Sequence, residues 1–293
     1  MQGRVYFYAI SAVVIWSTTA ALVKSLLTAI PTFEALFLST LAASLFLLVV
    51  QLVRDGGRIF RTYDVRGYVS MAGLGFLGLF LYSGLYYYGL SQLTSQEACL
   101  LNYLWPMMIV LFAALLLGER ITLRTAVALL LSFSGVVVLT LGGEGSAEGN
   151  GLLGTVACLL AALCYGLFCV LNKRRNIDQT VMMILAWGVT AVCSLPVTLL
   201  TEEWVTPMWT QWIGLLWLGV FIDAVGYLWW AMALQEARDA ATVANLAYAV
   251  PLLSLVVSAA ALGEEMSGAA VGALVLIMGG ILLQSVRRGK KSG

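Results

Sequence analysis

A chain of 293 residues that is 61% hydrophobic and 11% charged, with a mean hydropathy of +0.94, lacks the polar surface of a soluble globule, in which about a quarter of residues are charged. It reads as an integral membrane protein. A net charge of +1 offers no basic field for nucleic acid, and the absence of histidine removes the usual proton shuttle and the commonest metal ligand.

Spanning helices need about 20 mostly apolar residues. Charge clusters and Gly/Pro breaks divide the chain into ten such stretches, at 5–24, 32–53, 67–89, 94–117, 122–141, 151–172, 179–200, 210–234, 240–262 and 267–286. The composition predicts an all-α integral membrane bundle and leaves little for a soluble domain. The first span is too long for a secretory signal and is expected to be retained. It carries Trp16, Ser17, Thr18 and Thr19, whose hydroxyls are expected to bond back to their own helix, and ends at Lys24, expected to snorkel to the interface.

The third span places Gly75, Gly78, Tyr82, Tyr86 and Gly89 in one stripe. Gly75 and Gly78 suit close helix packing, while Tyr82 and Tyr86 fit either packing or the wall of a cavity. Glu97, at the start of the fourth span, is placed at the outer surface in water. Further along, the stretch CLLNYLWPMMIV gathers Cys99, Asn102, Tyr103, Trp105 and Pro106. An amide facing lipid would lose its hydrogen bonds, so Asn102 should face the bundle or a wet cavity. Pro106 cannot donate to the carbonyl of Asn102, which predicts either a polar spot at depth or a kink satisfied by another helix.

In the second half, Tyr165 on the sixth span occupies the position that Trp16 holds on the first. The eighth span carries Asp223, the single carboxylate near the middle of a stretch, with Gly219, Gly226, Tyr227 and Trp230 on a shared face. Its two readings are a proton-coupling or ammonium-binding acid, and a neutral, hydrogen-bonded residue that joins helices. Asn245 and Tyr248 precede Pro251 on the ninth span. Trp204, Trp209 and Trp212 fit an interfacial belt. The five cysteines lie in apolar runs with no CxxC spacing, which predicts free thiols and neither disulfides nor a metal site.

With the N-terminus inside, fifteen of the sixteen Lys and Arg residues fall on the cytoplasmic side, leaving only Lys24 outside, and the outer loops collect Glu144, Glu148, Glu202, Glu203, Glu264 and Glu265. Both termini are therefore expected in the cytoplasm.

The chain also repeats. WPMMIVLFAALLLGERIT lies over VPLLSLVVSAAALGEEMS, matching Pro106 to Pro251, Gly118 to Gly263 and Glu119 to Glu264 at an offset of 145; Tyr103 and Tyr248, and Gly135 and Gly280, share it. Trp16 and Tyr165, and Lys24 and Lys173, match at 149. Residues 1–145 and 146–293 are read as two five-helix repeats. An odd number of spans makes the second repeat enter inverted, the architecture of many secondary carriers, with substrate held where the halves meet.

The 5+5 repeat, the early Trp-Ser with Lys closing the first span, and Pro-x(11)-Gly-Glu before the fifth span of each half resemble the drug/metabolite transporter superfamily, in its ten-helix exporter family. The tyrosine-rich third and fourth spans are similar to its bacterial aromatic amino-acid exporters. The resemblance implies export from the cytoplasm across the bacterial inner membrane, a central cavity between two halves, and no ATP hydrolysis.

The expected function is therefore secondary transport of amino acids, preferably aromatic or apolar, or of similar small metabolites, by alternating access. The expected substrate contacts are Trp16, Tyr82, Tyr86, Asn102, Tyr103, Trp105, Tyr165, Asp223, Tyr227, Asn245 and Tyr248, with Pro106 and Pro251 as bending points. No catalytic residue, cofactor or metal is expected; the partners are the substrate and the lipid bilayer, and the sequence leaves the oligomeric state open. Alternatives are another cargo within the superfamily, an intramembrane enzyme, or a passive channel. Anionic nucleotide sugars or phosphates are disfavoured because no span carries Lys or Arg at mid-depth, and an enzyme because no nucleophile or paired-carboxylate motif is present.

Overall fold

The computed structural model describes residues 2–117, 123–142, 150–173, 175, 177–236, 246–247, 249–263 and 267–285, and among these the regular structure is entirely helical. The helices in order are α1 (Gln2–Ser17), α2 (Thr19–Leu26), α3 (Thr32–Asp55), α4 (Val65–Gly75), α5 (Tyr82–Gln92), α6 (Ser95–Asn102), α7 (Trp105–Leu117), α8 (Leu123–Gly142), α9 (Gly151–Lys173), α10 (Gln179–Thr201), α11 (Trp209–Leu216), α12 (Tyr227–Glu236), α13 (Ala249–Leu262) and α14 (Gly268–Ser285). A 3₁₀ turn, Arg58–Thr62, precedes α4. Two π-helical segments, Phe76–Leu81 and Trp217–Gly226, join α4 to α5 and α11 to α12.

Seven stretches of the described residues are long and apolar enough to cross a membrane: Gly3–Leu26, Thr32–Asp55, Val65–Gln92, Ser95–Leu116, Gly151–Asn172, Gln179–Thr201 and Trp209–Trp230. Helices α8, α13 and α14 occupy the positions of the other three expected spans, and within these Ala249–Leu262 and Gly268–Gly280 are shorter apolar helices. The protein is thus a multi-pass, all-helical membrane protein. Gly118, Glu119, Glu264, Asn245, Tyr248 and the basic C-terminal residues of the sequence reading lie outside the described residues.

Local chemistry sets the helix ends. Asp64 accepts from the backbone N–H of Gly67 at 2.8 Å to open α4, and Asp178 accepts from Thr180 and Val181 to open α10. Gly56, at φ 67°, closes α3 in the left-handed conformation. Thr94 and Glu97 form a capping box at the start of α6. Glu97 therefore has a structural partner, where a merely hydrated side chain was expected.

Several expectations about polar residues change. Lys24 does not snorkel away: its Nζ donates to the carbonyls of Leu90 and Leu93 at 2.8 and 2.7 Å, satisfying the C-terminal end of α5. Ser17 and Thr18 do bond back, to Val14 and Ile15, and the first span breaks there between α1 and α2. Pro106 and Pro251 sit in the first turns of α7 and α13. A proline there lacks only an N–H that has no intrahelical partner anyway, so each marks a helix start and bends no helix in mid-course.

Long-range packing follows a pattern. Helices α3 and α10 pack along each other, and so do α8 and α14. Helix α1 packs on the second π-helical segment, α12 and α13, while α9 packs on the first π-helical segment, α5 and α7. Close approach depends on glycine at a few crossings. A Cβ on Gly75 would lie 2.6 Å from the Ala186 Cα, and one on Gly78 would run into the Phe168 ring. Both glycines are packing residues, as their sequence context indicated.

Candidate functional site

A cavity lies where α1, α2, α5, α6, α7, α9, α10, α12, α13 and the second π-helical segment converge. It offers about 70 Å³ to water centres, enough for several waters at roughly 10–15 Å³ each. Nine of the expected contact residues line it: Trp16, Tyr82, Tyr86, Asn102, Tyr103, Trp105, Tyr165, Asp223 and Tyr227. Asn245 and Tyr248 cannot be placed against it, being outside the described residues, as is the side chain of Pro106.

The wall is a connected set of rings. Tyr165 lies 4.8 Å from Tyr82, 5.3 Å from Trp105 and 6.3 Å from Tyr227, measured between centroids. Tyr227 in turn meets Trp16 at 5.2 Å and Trp187 at 5.3 Å, with planes inclined by 64° and 85°. Edge-to-face geometry of this kind is favourable for each pair and turns the ring faces in different directions. Tyr82 stacks on Tyr86 one turn along α5, at 6.1 Å. The sequence stripe on the third span therefore separates by function: its glycines meet neighbouring helices and its tyrosines meet the cavity.

Polar atoms interrupt this aromatic wall. Asn102 donates through Nδ2 to the Tyr82 hydroxyl at 3.1 Å, while its Oδ1 is buried without a protein partner. The Trp16 Nε1 and the Asp223 Oδ2 are likewise buried and unpartnered. An orphan donor and two orphan acceptors on one cavity carry a desolvation cost of about 1–3 kcal/mol each unless water or a ligand meets them. All three can be met from the cavity that their residues line.

The π-helical segments place two of these residues. Each ends one position before a cavity tyrosine, Tyr82 in one case and Tyr227 in the other. The second contains Asp223, and its backbone carbonyl accepts from Trp187 Nε1 at 3.2 Å. A π segment adds a residue to the helical turn and re-aims the side chains that follow; such segments are frequent at functional sites.

Sequence reasoning missed Trp187, Tyr87, Thr19 and Ser254. Trp187 had a usable signal: it sits in mid-span, away from the interfacial belt where membrane tryptophans concentrate. Ser254 on α13 had none beyond its hydroxyl. Trp204, Trp209 and Trp212, read as belt residues, are all exposed on the surface, and all five cysteines are free.

The sequence also matches known proteins. The model of the EamA-like transporter family matches residues 3–141 and again 152–286. The aromatic amino acid exporter YddG of Ancylobacter novellus is 30% identical over 275 residues, covering 92% of this chain and 93% of that protein. YvbV, an uncharacterized transporter of Bacillus subtilis, is 27% identical, covering 94% and 89%. A crystal structure 28% identical to this chain superposes with a TM-score of 0.70 over 97% of each chain. The two family matches take in every helix that lines the cavity, and the protein accordingly belongs to the EamA-like transporter family, within the drug/metabolite transporter superfamily.

Proposed function

We propose that the protein is a secondary transporter that exports amino acids, aromatic and apolar ones by preference, or similar small metabolites, from the cytoplasm by alternating access. The observation that carries this reading is the cavity itself: a buried pocket walled by tyrosine and tryptophan faces and edged by orphan polar atoms of Trp16, Asn102 and Asp223. Flat apolar faces suit an aromatic side chain, and the polar atoms suit its amino-acid end. The likeness to an aromatic amino acid exporter supports the cargo class. Trp16, Tyr82, Tyr86, Asn102, Tyr103, Trp105, Tyr165, Asp223 and Tyr227 are the proposed contacts, joined by Asn245 and Tyr248 from the ninth span.

The proposed architecture is ten spans in two inverted repeats, 1–145 and 146–293, with both termini in the cytoplasm and the chain in the bacterial inner membrane. Three observations support it. The family model matches each half separately. The packing pattern is unchanged when the halves are exchanged: the fifth spans (α8, α14) pair, the second spans (α3, α10) pair, and each first span packs on the third and fourth spans of the other half. Ser132 Oγ also donates to the Ile277 carbonyl at 3.4 Å, and these two positions are separated by the repeat offset of 145. The concentration of Lys and Arg in alternate loops supports the orientation.

In this reading Pro106 and Pro251, at matching helix starts, are the places where α7 and α13 swing as the gates exchange. The test of the transport reading is counterflow in liposomes of purified protein, with labelled phenylalanine outside and amino acids preloaded inside. Accumulation that depends on the preload and is lost in Tyr82→Ala or Asn102→Ala is the expected result. Its absence for every amino acid, with protein that is folded and inserted, overturns the cargo class.

A further inference from the structure

The cavity is chemically one-sided. Among the described residues that line it, the one carboxyl is that of Asp223, 6% exposed, whose Oδ2 has no protein partner. Among the described residues that line it, none is Lys or Arg. A zwitterionic amino acid brings one charge of each sign, and among the described residues this wall offers a carboxyl to the positive one and no cation to the negative one. For a substrate carboxylate the unengaged donors are neutral ones, among them the Trp16 N–H, the Ser254 hydroxyl and the second hydrogen of the Asn102 amide. Moving a carboxylate from water into an apolar pocket is costly when no cation meets it.

The aromatic wall favours the same sign. The Asp223 carboxyl lines the same cavity as the Tyr82, Tyr87 and Tyr227 side chains. Around Tyr227 the rings of Trp16, Trp187 and Tyr165 are inclined by 64°, 85° and 90°, so they stand as walls of a box rather than as a stack. Ring faces attract cations and repel anions, and boxes of this kind hold organic ammonium groups. The acid is also anchored through its own backbone: Trp187, which is fully buried, donates to its carbonyl. The side chain is thus carried on a fixed strut with one oxygen free for a ligand.

We propose that this cavity recognises its cargo by a positively charged amine: Asp223 meets the ammonium group, the Trp16, Tyr82, Tyr165 and Tyr227 rings enclose the carbon that bears it, and aromatic amines of net positive charge are held in preference to zwitterionic amino acids. This rests on the reading of the cavity as the transport site and shifts its preferred cargo from the amino acids themselves to the related small metabolites of net positive charge. The preferred cargo then has an aromatic or apolar body and an amine, with its carboxyl group absent, amidated or esterified.

The experiment compares binding of ligands that share one ring and differ in charge. Purified protein is titrated calorimetrically with phenylalanine, phenylalanine amide, phenethylamine and phenylpropionate, and the four compounds are then run in liposome counterflow. The amide and the amine are expected to bind about tenfold more tightly than phenylalanine, equal to about 1.4 kcal/mol, and phenylpropionate not to bind. Asp223→Asn should remove that preference and Asp223→Glu should keep it. If Asp223→Asn fails to fold, the ranking in the wild type and in Asp223→Glu decides the matter alone. Phenylalanine binding as tightly as its amide overturns the proposal, as does a preference that survives Asp223→Asn, or no binding by any of the four compounds. Phenylalanine counterflow in the first two cases leaves the transporter reading standing. Selective amine binding without counterflow of any compound overturns transport and keeps the cation site.

Discussion

Asn102 and Tyr82 are joined by a hydrogen bond of 3.1 Å that bridges two interruptions in the bundle: Asn102 is the last residue of α6, before the break that leads to α7, and Tyr82 is the first residue of α5, after the π-helical segment. The bond fixes which way the amide points, with its oxygen left for the cavity. Removing the tyrosine hydroxyl in Tyr82→Phe should free the amide to turn, weakening substrate binding about two- to tenfold, in line with about 0.5–1.5 kcal/mol for one such bond. Asn102→Ala should lose more, because it removes the free acceptor as well. A double-mutant cycle on substrate Kd checks this, and additivity of the two effects would deny the coupling.

Two glycines should respond differently to the same added methyl. A Cβ on Gly78 meets the Phe168 side chain, whereas one on Gly219 meets the backbone carbonyl oxygen of Ser39. Gly78→Ala should cost about 1–3 kcal/mol by overpacking, and Phe168→Leu should restore much of it. Gly219→Ala should cost at least as much, and no substitution at Ser39 can relieve it because the obstruction is main chain. Thermal melts in detergent of the single and double variants read both outcomes.

Glu202, at the end of α10, accepts from the backbone N–H groups of Phe33 and Glu34 at 3.0–3.1 Å and so caps α3 from another helix. Glu34 returns the connection by accepting from the Val205 N–H at 2.9 Å. Loss of a helix cap costs about 0.5–2 kcal/mol, so Glu202→Ala should lower the melting temperature while Glu202→Gln, which keeps an acceptor, should lower it less. Equal melting of both variants and the wild type would show that the cap carries no stability.

Trp187→Phe should keep the ring in place against Tyr227 and delete the donor to the Asp223 carbonyl. A buried carbonyl left without its donor costs about 1–3 kcal/mol. The expected signature is a raised substrate KM with a smaller change in maximal counterflow rate, because the position of Asp223 loosens while the gates are untouched. Unchanged KM would separate Trp187 from the site.

Much of this is legible in the sequence. The apolar stretches, the charge between them, and Tyr82, Asn102 and Asp223 as polar groups that lipid would penalise all follow from the cost of stranding polar atoms in hydrocarbon. Lys24 was misread because reach toward the interface and reach toward the Leu90 and Leu93 carbonyls look the same in one dimension. The sequence leaves Pro106 open between a polar spot and a kink, because nothing in it shows where α6 stops and α7 starts. The π-helical segments were invisible too: a single extra residue per turn leaves hydropathy unchanged, yet it decides that Tyr227 and Asp223 both reach the cavity.

The partners of α1 have a consequence for how the protein is made. This helix is synthesised some 200 residues before the segments it packs against, from Trp217 to Leu262. Until then it must wait in the bilayer with its cavity-facing indole among lipid tails or held by an insertase. The aromatic chamber is therefore closed only when the segments from Trp217 onward have been inserted. Truncation before Trp217 should leave inserted helices with no binding site at all.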